Sequence, residues 1–599
     1  MTLNIKKIQT YKYLLIFILL FHSTASSEEI ITSNSISMHG KPDFENTTVR
    51  YPHVDIYANK GGKFKFASLG TFNSTNPFIV KGRTAYGIKD FVFESLMSRN
   101  YSEPFSLYGL VAEQITYPKN RKWIEFHINE NAKFSDGVDL KASDVFFSFT
   151  QLMENGRPNY RSYYSRINDV IITSNKSIKF ILNDDDDDRE LIMILGLMPI
   201  LPEHHYKDGK FEEANLTIPI GSGPYIVESL EQGKNITYKR NNNYWGDQLS
   251  INDGVNNFKY ISVDYYLDDN SRYEAFKAGQ FDFYQIWDPI RWNNLKSEKN
   301  VLNGKIKLKE INRNTPAGML GLALNTRKPE LKDIRIRKAL TLLFDFEWIN
   351  QNLYHGLYRR TQGFYDNSYL SSINNDITEI ERNLIGESEV TQYEDEMYQY
   401  RNLKSNNIRT KLNNILNLFK ESGYELDDSR LINTSTNKQL SLEFLISDKR
   451  QEKYALNFKE TLKKVGIALN IKLVDSTQYQ QRKQNFDFDI IEHFWYSSLS
   501  PGNEQNFYWS SKSSDEIGSR NYPGIKNVKI DELIEKLVQS TEKDEFMYSV
   551  RALDRMLISG FYVIPLFHWP HQWVAVSDKV RMPTQLSLDG YKINTWYLD

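Results

Sequence analysis

Three neighbouring segments restrict the architecture open to this chain more than any others. Residues 440–446 (LSLEFLI) and 467–474 (IALNIKLV) are apolar runs of strand length. Between them, residues 454–465 carry apolar side chains at helical spacing, and Gly466 breaks the pattern. A strand, a helix and a strand in that order form a crossover unit, which predicts a mostly parallel sheet with helices on both faces. Residues 318–326 (GMLGLALNT) supply a further apolar strand. After it, Asp333 caps a helix whose Ile336, Leu340, Leu343 and Phe344 share a face. The fold class is therefore α/β.

The rest of the chain alternates strands and helices without a repeat period. Residues 62–70 read as a half-buried strand running into a turn at 71–77, and residues 90–97 as a short helix. Residues 123–128 (WIEFHI) alternate as a strand. Residues 131–149 read as a strand, the turn Ser135-Asp136-Gly137 and a helix capped near Ser143 and Asp144, with Phe146, Phe147 and Phe149 as core. Residues 273–283 give a helix, a stop at Gly279 and a strand; residues 408–422 give another helix, stopped at Gly423. Residues 374–407 are polar with little periodicity and read as a surface linker.

The amino terminus carries Lys6, Lys7 and Lys12 ahead of an apolar run at 13–21, with Ser23 and Ala25 behind it. That run is far below the ~20 residues needed to span a bilayer, so residues 1–25 read as a cleaved export signal. No cysteine occurs anywhere, which excludes a lipid anchor on an N-terminal cysteine, disulfides and thiolate metal sites. Net charge is −2 from 74 basic and 76 acidic residues, which argues against a nucleic-acid partner. Aromatic content is high, 14%, and aromatics serve cores and binding sites alike.

Several patterns tempt and fail. Asp184 to Asp188 lacks the interleaved spacing of a calcium loop and reads as a solvated hairpin tip. His204-His205 and His568-x-x-His571 lack the HExxH arrangement and a third ligand, so no metal is expected. Residues 221–225 (GSGPY) are no phosphate loop, because Pro224 removes an amide and no GK[ST] follows. No GxSxG, HExxH or cysteine nucleophile is present, so no catalytic residue and no cofactor are assigned.

Residues 486–526 combine a buried strand, an aromatic-lined turn with Pro501, Gly502, Asn503 and Glu504, and a second turn, Gly-Ser-Arg-Asn-Tyr-x-Gly-Ile. Together they read as a ligand cleft without a catalytic centre. With GSGPY, the Tyr244-Trp245 pair and residues 132–149 (AKFSDGVDLKASDVFFSF), this stretch carries a resemblance. From about Lys60 to its last residue the chain resembles the family 5 extracytoplasmic solute-binding proteins of peptide importers, and within them the Yej-type branch associated with oligopeptide and microcin C uptake.

The resemblance implies a two-lobed periplasmic-binding-protein clamp (class II, cluster C type) with an accessory subdomain in the first lobe. The implied divisions are 1–25 signal peptide, 26–80 first lobe, 81–217 accessory subdomain, 218–318 first lobe, 319–563 second lobe and 564–599 first lobe. It implies a monomer in the periplasm that binds peptide and delivers it to an inner-membrane ABC permease. The chain has no Walker motif, so ATP would be used by partner ATPase subunits.

Its ligand-binding residues would be Phe72, Asn73 and Asn76 after the first strand; Tyr160, Arg161 and Tyr163; His493, Phe494, Trp495, Tyr496 and Ser497 on the segment that pairs with ligand main chain; Asn503 and Glu504; and Phe567, His568 and Trp569 at the second crossing. The family's dipeptide and oligopeptide members carry an aspartate near the position of Ser497, paired with the ligand's α-amino group. Here either Glu504 substitutes or the ligand is N-blocked, as a formylated peptide is. The alternatives to a binding protein are a secreted hydrolase with an aromatic cleft and a chaperone-like or adhesive protein on the same fold.

Overall fold

The computed structural model describes residues 29–44, 49–183, 188–403 and 407–599; the export signal assigned to 1–25 lies outside them, as do Asp184 to Asp187. Four sheets organise the chain. Strands Ile30–Ser33, Ala112–Pro118, Trp123–Ile128, Ser177–Leu182 and Ile167–Ser174 form an antiparallel five-stranded sheet, with helix Ala142–Asn155 packed on its 167–182 side. A four-stranded sheet joins Tyr225–Glu231, Asn235–Arg240, Tyr260–Tyr266 and Lys63–Leu69, the last two parallel. A three-stranded sheet joins Phe283–Ile286, Gln572–Ser577 and Ile306–Ile311.

The fourth sheet runs in the order Ala468–Leu473, Ser441–Ile446, Ile490–Trp495, Met319–Leu324 and Val563–Pro565. Its first three strands are parallel, as the crossover pattern requires, but Met319–Leu324 is antiparallel to both of its neighbours. The expectation of a mostly parallel sheet thus fails on one side, for a topological reason. Met319–Leu324 arrives from the three-stranded sheet and so starts at the edge where the parallel strands end; Met319 sits opposite Trp495. Helices cover both faces. Leu322 and Leu324 pack with Ile336, Leu340 and Phe458 on one side, while Met319 and Ala323 pack with Leu533, Val550 and Leu553 on the other. This alternation follows from the period of two along a strand.

Two chain crossings link the three-stranded sheet to the mixed one, at 312–318 and at 566–571. The first is pinned by Asn367, whose Nδ2 donates to Arg313 O at 2.7 Å and Thr315 O at 3.1 Å. Gly318 is required there: its φ is +74°, and a Cβ would stand 2.7 Å from the Phe494 ring.

Local departures from the sequence reading are few. Residues 90–97 form no regular helix; a wide turn spans Ile88–Val92 and a strand begins at Met97. Residues 131–140 hold only an isolated bridge, Lys133 to Asp139, rather than a strand. The following helix is capped from Lys141, whose backbone N–H donates to Asp144 Oδ2 at 2.9 Å, and Phe146 is 41% exposed rather than core. Residues 374–407 contain helices Glu379–Ile385 and Glu387–Leu403, held in part by the buried pair Arg555–Glu381 at 3.1 Å. Their polar faces hid the helical period. Asp188 follows strand Ser177–Leu182 rather than tipping a hairpin, and pairs with Arg166 at 2.9 Å. Strands at 30–37 pair with strands within 106–118 and so extend the antiparallel sheets next to them.

Candidate functional site

The edge of the mixed sheet next to the crossings gathers exposed aromatic side chains. Strand Ile490–Trp495 ends there, with only Ile490 and Ile491 engaged by Ser441–Ile446 on one side. Beyond them Phe494 is 46% and Tyr496 64% exposed, large aromatic surfaces left uncovered at a strand end. Helix Glu504–Trp509 begins a few residues on. Glu504 holds its own turn, accepting from Gly502 N–H at 3.0 Å and from Gln505 Nε2 at 3.1 Å. Its charge nevertheless reaches the opposite body of the protein. Burial, then Asp188 and Glu504, push Glu190 up to about 7 against the pull of Arg99 and Arg166. The Tyr163 phenol is raised by burial first, then by Glu190, Asp188 and Glu504. Tyr163, Glu190 and Glu504, from three distant parts of the sequence, therefore share one electrostatic environment.

A second aromatic wall stands at the 566–571 crossing. Trp287, 54% exposed, meets Trp569 edge-on at 5.3 Å, and Trp569 Nε1 donates to the Trp287 carbonyl at 3.1 Å. Phe567 stacks on Tyr358 at 4.5 Å. Trp287, Tyr358 and Glu190 were missed by sequence reasoning. An exposed tryptophan beside a strand end was a usable signal for Trp287; nothing local marked the others.

Several expected site residues are engaged in packing and hydrogen bonds within the fold. Trp495 is 1% exposed, its Nε1 donates to Arg520 O at 3.0 Å, and its ring packs against His493 at 4.7 Å and Trp509 at 5.2 Å. It points into the core because strand alternation sends Phe494 and Tyr496 outward. Phe72 is fully buried against Tyr265, and Asn76 donates to Phe211 O at 2.6 Å while accepting from Phe78 N–H. Asn73 ties its own loop through Arg83 N–H at 2.7 Å. His568 is 5% exposed, bonded to Thr361 Oγ1 at 3.0 Å, and lowered to about 4 by burial and then Arg359 and Arg313. His493, beside Lys483 Nζ at 3.1 Å, is lowered by burial first to about 2. Tyr160 packs against Tyr164 and Phe78, Arg161 and Asn503 are exposed, and Ser497 is buried at 7%.

The second turn of the 486–526 stretch is likewise a rivet. Asn521 is fully buried; its Nδ2 donates to Ser510 O and Ile525 O, and its Oδ1 accepts from Ile525 N–H at 2.8 Å. In GSGPY, Gly223 packs so closely on residues 91 and 92 that a Cβ would stand 2.6 Å from Phe91 O. Of the histidines considered for metal, His204 Nε2 meets Asp136 Oδ2 at 2.7 Å and His571 Nδ1 meets Asn312 Oδ1 at 2.7 Å; no group of three or more potential metal ligands occurs among the described residues. Among them, too, no helix is long and apolar enough to cross a membrane.

Sheets joined by paired crossings, with exposed aromatics and half-buried carboxylates at the junction, define a two-lobed binding clamp of the periplasmic-binding-protein type. Residues 106–519 match the family described as "Bacterial extracellular solute-binding proteins, family 5 Middle", and the chain belongs to that family. It is 35% identical over 582 residues to the peptidoglycan-binding protein YepA of Agrobacterium fabrum, covering 94% of each chain. To the "Probable peptide-binding protein YejA" of the same organism it is 33% identical, covering 95% of this chain and 94% of the other. The fold also matches the unliganded open form of the periplasmic murein tripeptide binding protein MppA, with TM-score 0.66 at 15% identity over 91% of this chain and 98% of that one.

Proposed function

We propose that this protein is the periplasmic substrate-binding component of an ABC importer, capturing peptides between its lobes and presenting the closed form to an inner-membrane permease and its ATPase subunits. In this reading the second lobe is 319–563. The first lobe comprises residues from about 49 to 80 with 218–318 and 564–599, and the accessory subdomain comprises 81–217 with the 30–37 strands. The observation that carries the reading is the junction itself. Phe494 and Tyr496 on the mixed sheet are exposed next to two crossings, while Glu504 acts on Tyr163 and Glu190 across from it. A ligand held there gains contacts that an open form cannot make, which links affinity to closure. The names of YejA and YepA support a peptide, including one of cell-wall origin.

The ligand's amino group is the sharper question. Lacking an aspartate at Ser497, the chain offers the Glu190–Glu504 region instead, where carboxylates outnumber what Arg166 and Arg99 neutralise. An ammonium entering there meets negative charge already desolvated, so this reading favours a free amine over an N-blocked peptide.

Two measurements test it. Protein incubated with a peptide library and followed by mass spectrometry should retain peptides without cleaving them; cleavage would instead favour the hydrolase, and neither retention nor cleavage the adhesive role. Titration calorimetry of a retained peptide against its N-formyl twin should favour the free amine by tenfold or more, about 1.4 kcal/mol. Equal or tighter binding of the formyl peptide would return the argument to an N-blocked ligand.

A further inference from the structure

The segment that follows strand Ser35–Ser37 touches a part of the chain 501 positions away. On one side it is tied to the antiparallel sheets: Met38 N–H donates to Phe105 O at 2.9 Å, and Ser37 Oγ donates to His39 O at 2.9 Å. Its other side meets the turn between helices Val528–Gln539 and Lys543–Ser559. There His39 Nδ1 donates to Ser540 O at 3.1 Å, and Gly40 N–H donates to Thr541 O at 2.8 Å. The His39 ring lies flat on Phe546, with 3.7 Å between centroids and 16° between planes. Phe546 belongs in turn to the core that holds Val550 and Leu553.

The contact fits closely. Gly40 has a φ of +65°, and a Cβ there would stand 3.5 Å from Lys543 Cβ. A cavity beside it, between Glu103 and Phe105 on one side and Tyr369, Ser500 and Phe546 on the other, measures only about 10 Å³, hardly room for one water. Burial first, then Arg189 and Arg121, lower the His39 imidazole to about 4 against the Ser540 bond, so a neutral ring makes the stack at neutral pH.

These two surfaces belong to bodies that the chain joins only through 312–318 and 566–571. Hydrogen bonds of this length do not stretch, so a swing of the second lobe about the crossings separates the contact as a unit. We propose that residues 38–40 and the 540–546 turn form a clasp between the accessory subdomain and the second lobe, made in the closed form and broken in the open one, which sets how much of the ligand-free protein is already closed. The proposal rests on the hinged-clamp reading but not on the identity of the ligand. Two hydrogen bonds and one stacked pair tip the equilibrium without fixing it, so ligand still closes the remaining molecules. Apparent affinity scales with the competent fraction, so the clasp tunes binding without touching what is bound.

The absence of cysteine makes the clasp open to cross-linking. In Gly40→Cys/Lys543→Cys the two Cβ atoms would stand 3.5 Å apart, within the range a disulfide bridges. Oxidation of the ligand-stripped double variant with diamide should remove both thiols in a thiol titration, and small-angle X-ray scattering should give the oxidised form a smaller radius of gyration than the reduced form. His39→Ala, which deletes the stack and the Ser540 bond, should raise the radius of gyration of ligand-stripped protein above that of the unaltered chain. Near-ultraviolet circular dichroism checks that each variant is folded, and His39→Ala stands as the independent test should the double variant not fold. Thiols that stay free in a folded double variant, a radius unchanged by oxidation, or a His39→Ala curve that superimposes on that of the unaltered chain would overturn the clasp. A protein that closes on peptide yet ignores His39→Ala keeps the clamp and loses the clasp; one that expands in His39→Ala yet retains no peptide keeps the clasp and loses the peptide.

Discussion

At the scale of single residues, the two sides of one strand divide the labour. Trp495 faces inward, so Trp495→Ala should remove a buried indole and cost about 3–5 kcal/mol of stability, read as a lowered Tm or denaturant midpoint. A folded variant of unchanged stability with weakened peptide binding would instead make Trp495 part of the ligand wall. Glu190 carries a pH dependence with a definite sign. Held up to about 7, it is largely protonated at pH 6 and gains its charge as pH rises. Binding of a free-amine peptide should strengthen from about pH 6 to 7.5, while the peptide amine, at ~8, is still protonated. Glu190→Gln should flatten that rise, and a pH profile of calorimetric affinity that keeps its slope in the variant would move the proton elsewhere. The exposure of Phe494 and Tyr496 fits the sequence reading of this segment, because a strand ending in aromatics followed by a Pro-Gly turn is a local pattern. Sequence reasoning could not tell Phe494 from Trp495, since two adjacent aromatics look alike until the strand's facing is known. Nor could it find Glu190, whose partner is more than three hundred positions away.

At the scale of elements, the second turn of the 486–526 stretch is held by buried hydrogen bonds. The Gly-Ser-Arg-Asn-Tyr-x-Gly-Ile turn is knotted by Asn521 and by Arg327, which donates to Tyr522 O and Asn521 O at 3.0 Å each. Asn521→Ala would leave Ser510 O and both backbone groups of Ile525 without that partner. The expected loss is about 2–3 kcal/mol in chemical denaturation, with peptide affinity of the folded fraction unchanged. Affinity lost without stability would make the turn a ligand contact. Strands and capped helices were the most legible elements. Asp333 caps its helix through Arg335 N–H at 2.9 Å, and strand Lys63–Leu69 falls within the expected 62–70. The two helices within 374–407 were illegible because their buried face is partly polar: Glu381 is fully buried, its charge met by Arg555. No apolar stripe marks a helix that docks through an ion pair.

At the scale of the whole molecule, strand order was the part that local pattern could not supply. The crossover units at 440–474 correctly gave parallel neighbours, yet the antiparallel insertion of Met319–Leu324 depends on where the chain enters from, and that is a property of two sheets together. The same insertion gives the paired crossings, since one strand starts at the junction and one ends there, and the proposed clamp requires the lobes to turn about them. Small-angle X-ray scattering of ligand-stripped protein, alone and saturated with a peptide it retains from the library, tests this most directly. Closure is expected to lower the radius of gyration on saturation and to sharpen the maximum dimension, with no change in mass. A scattering curve that superimposes with and without bound peptide would contradict the clamp.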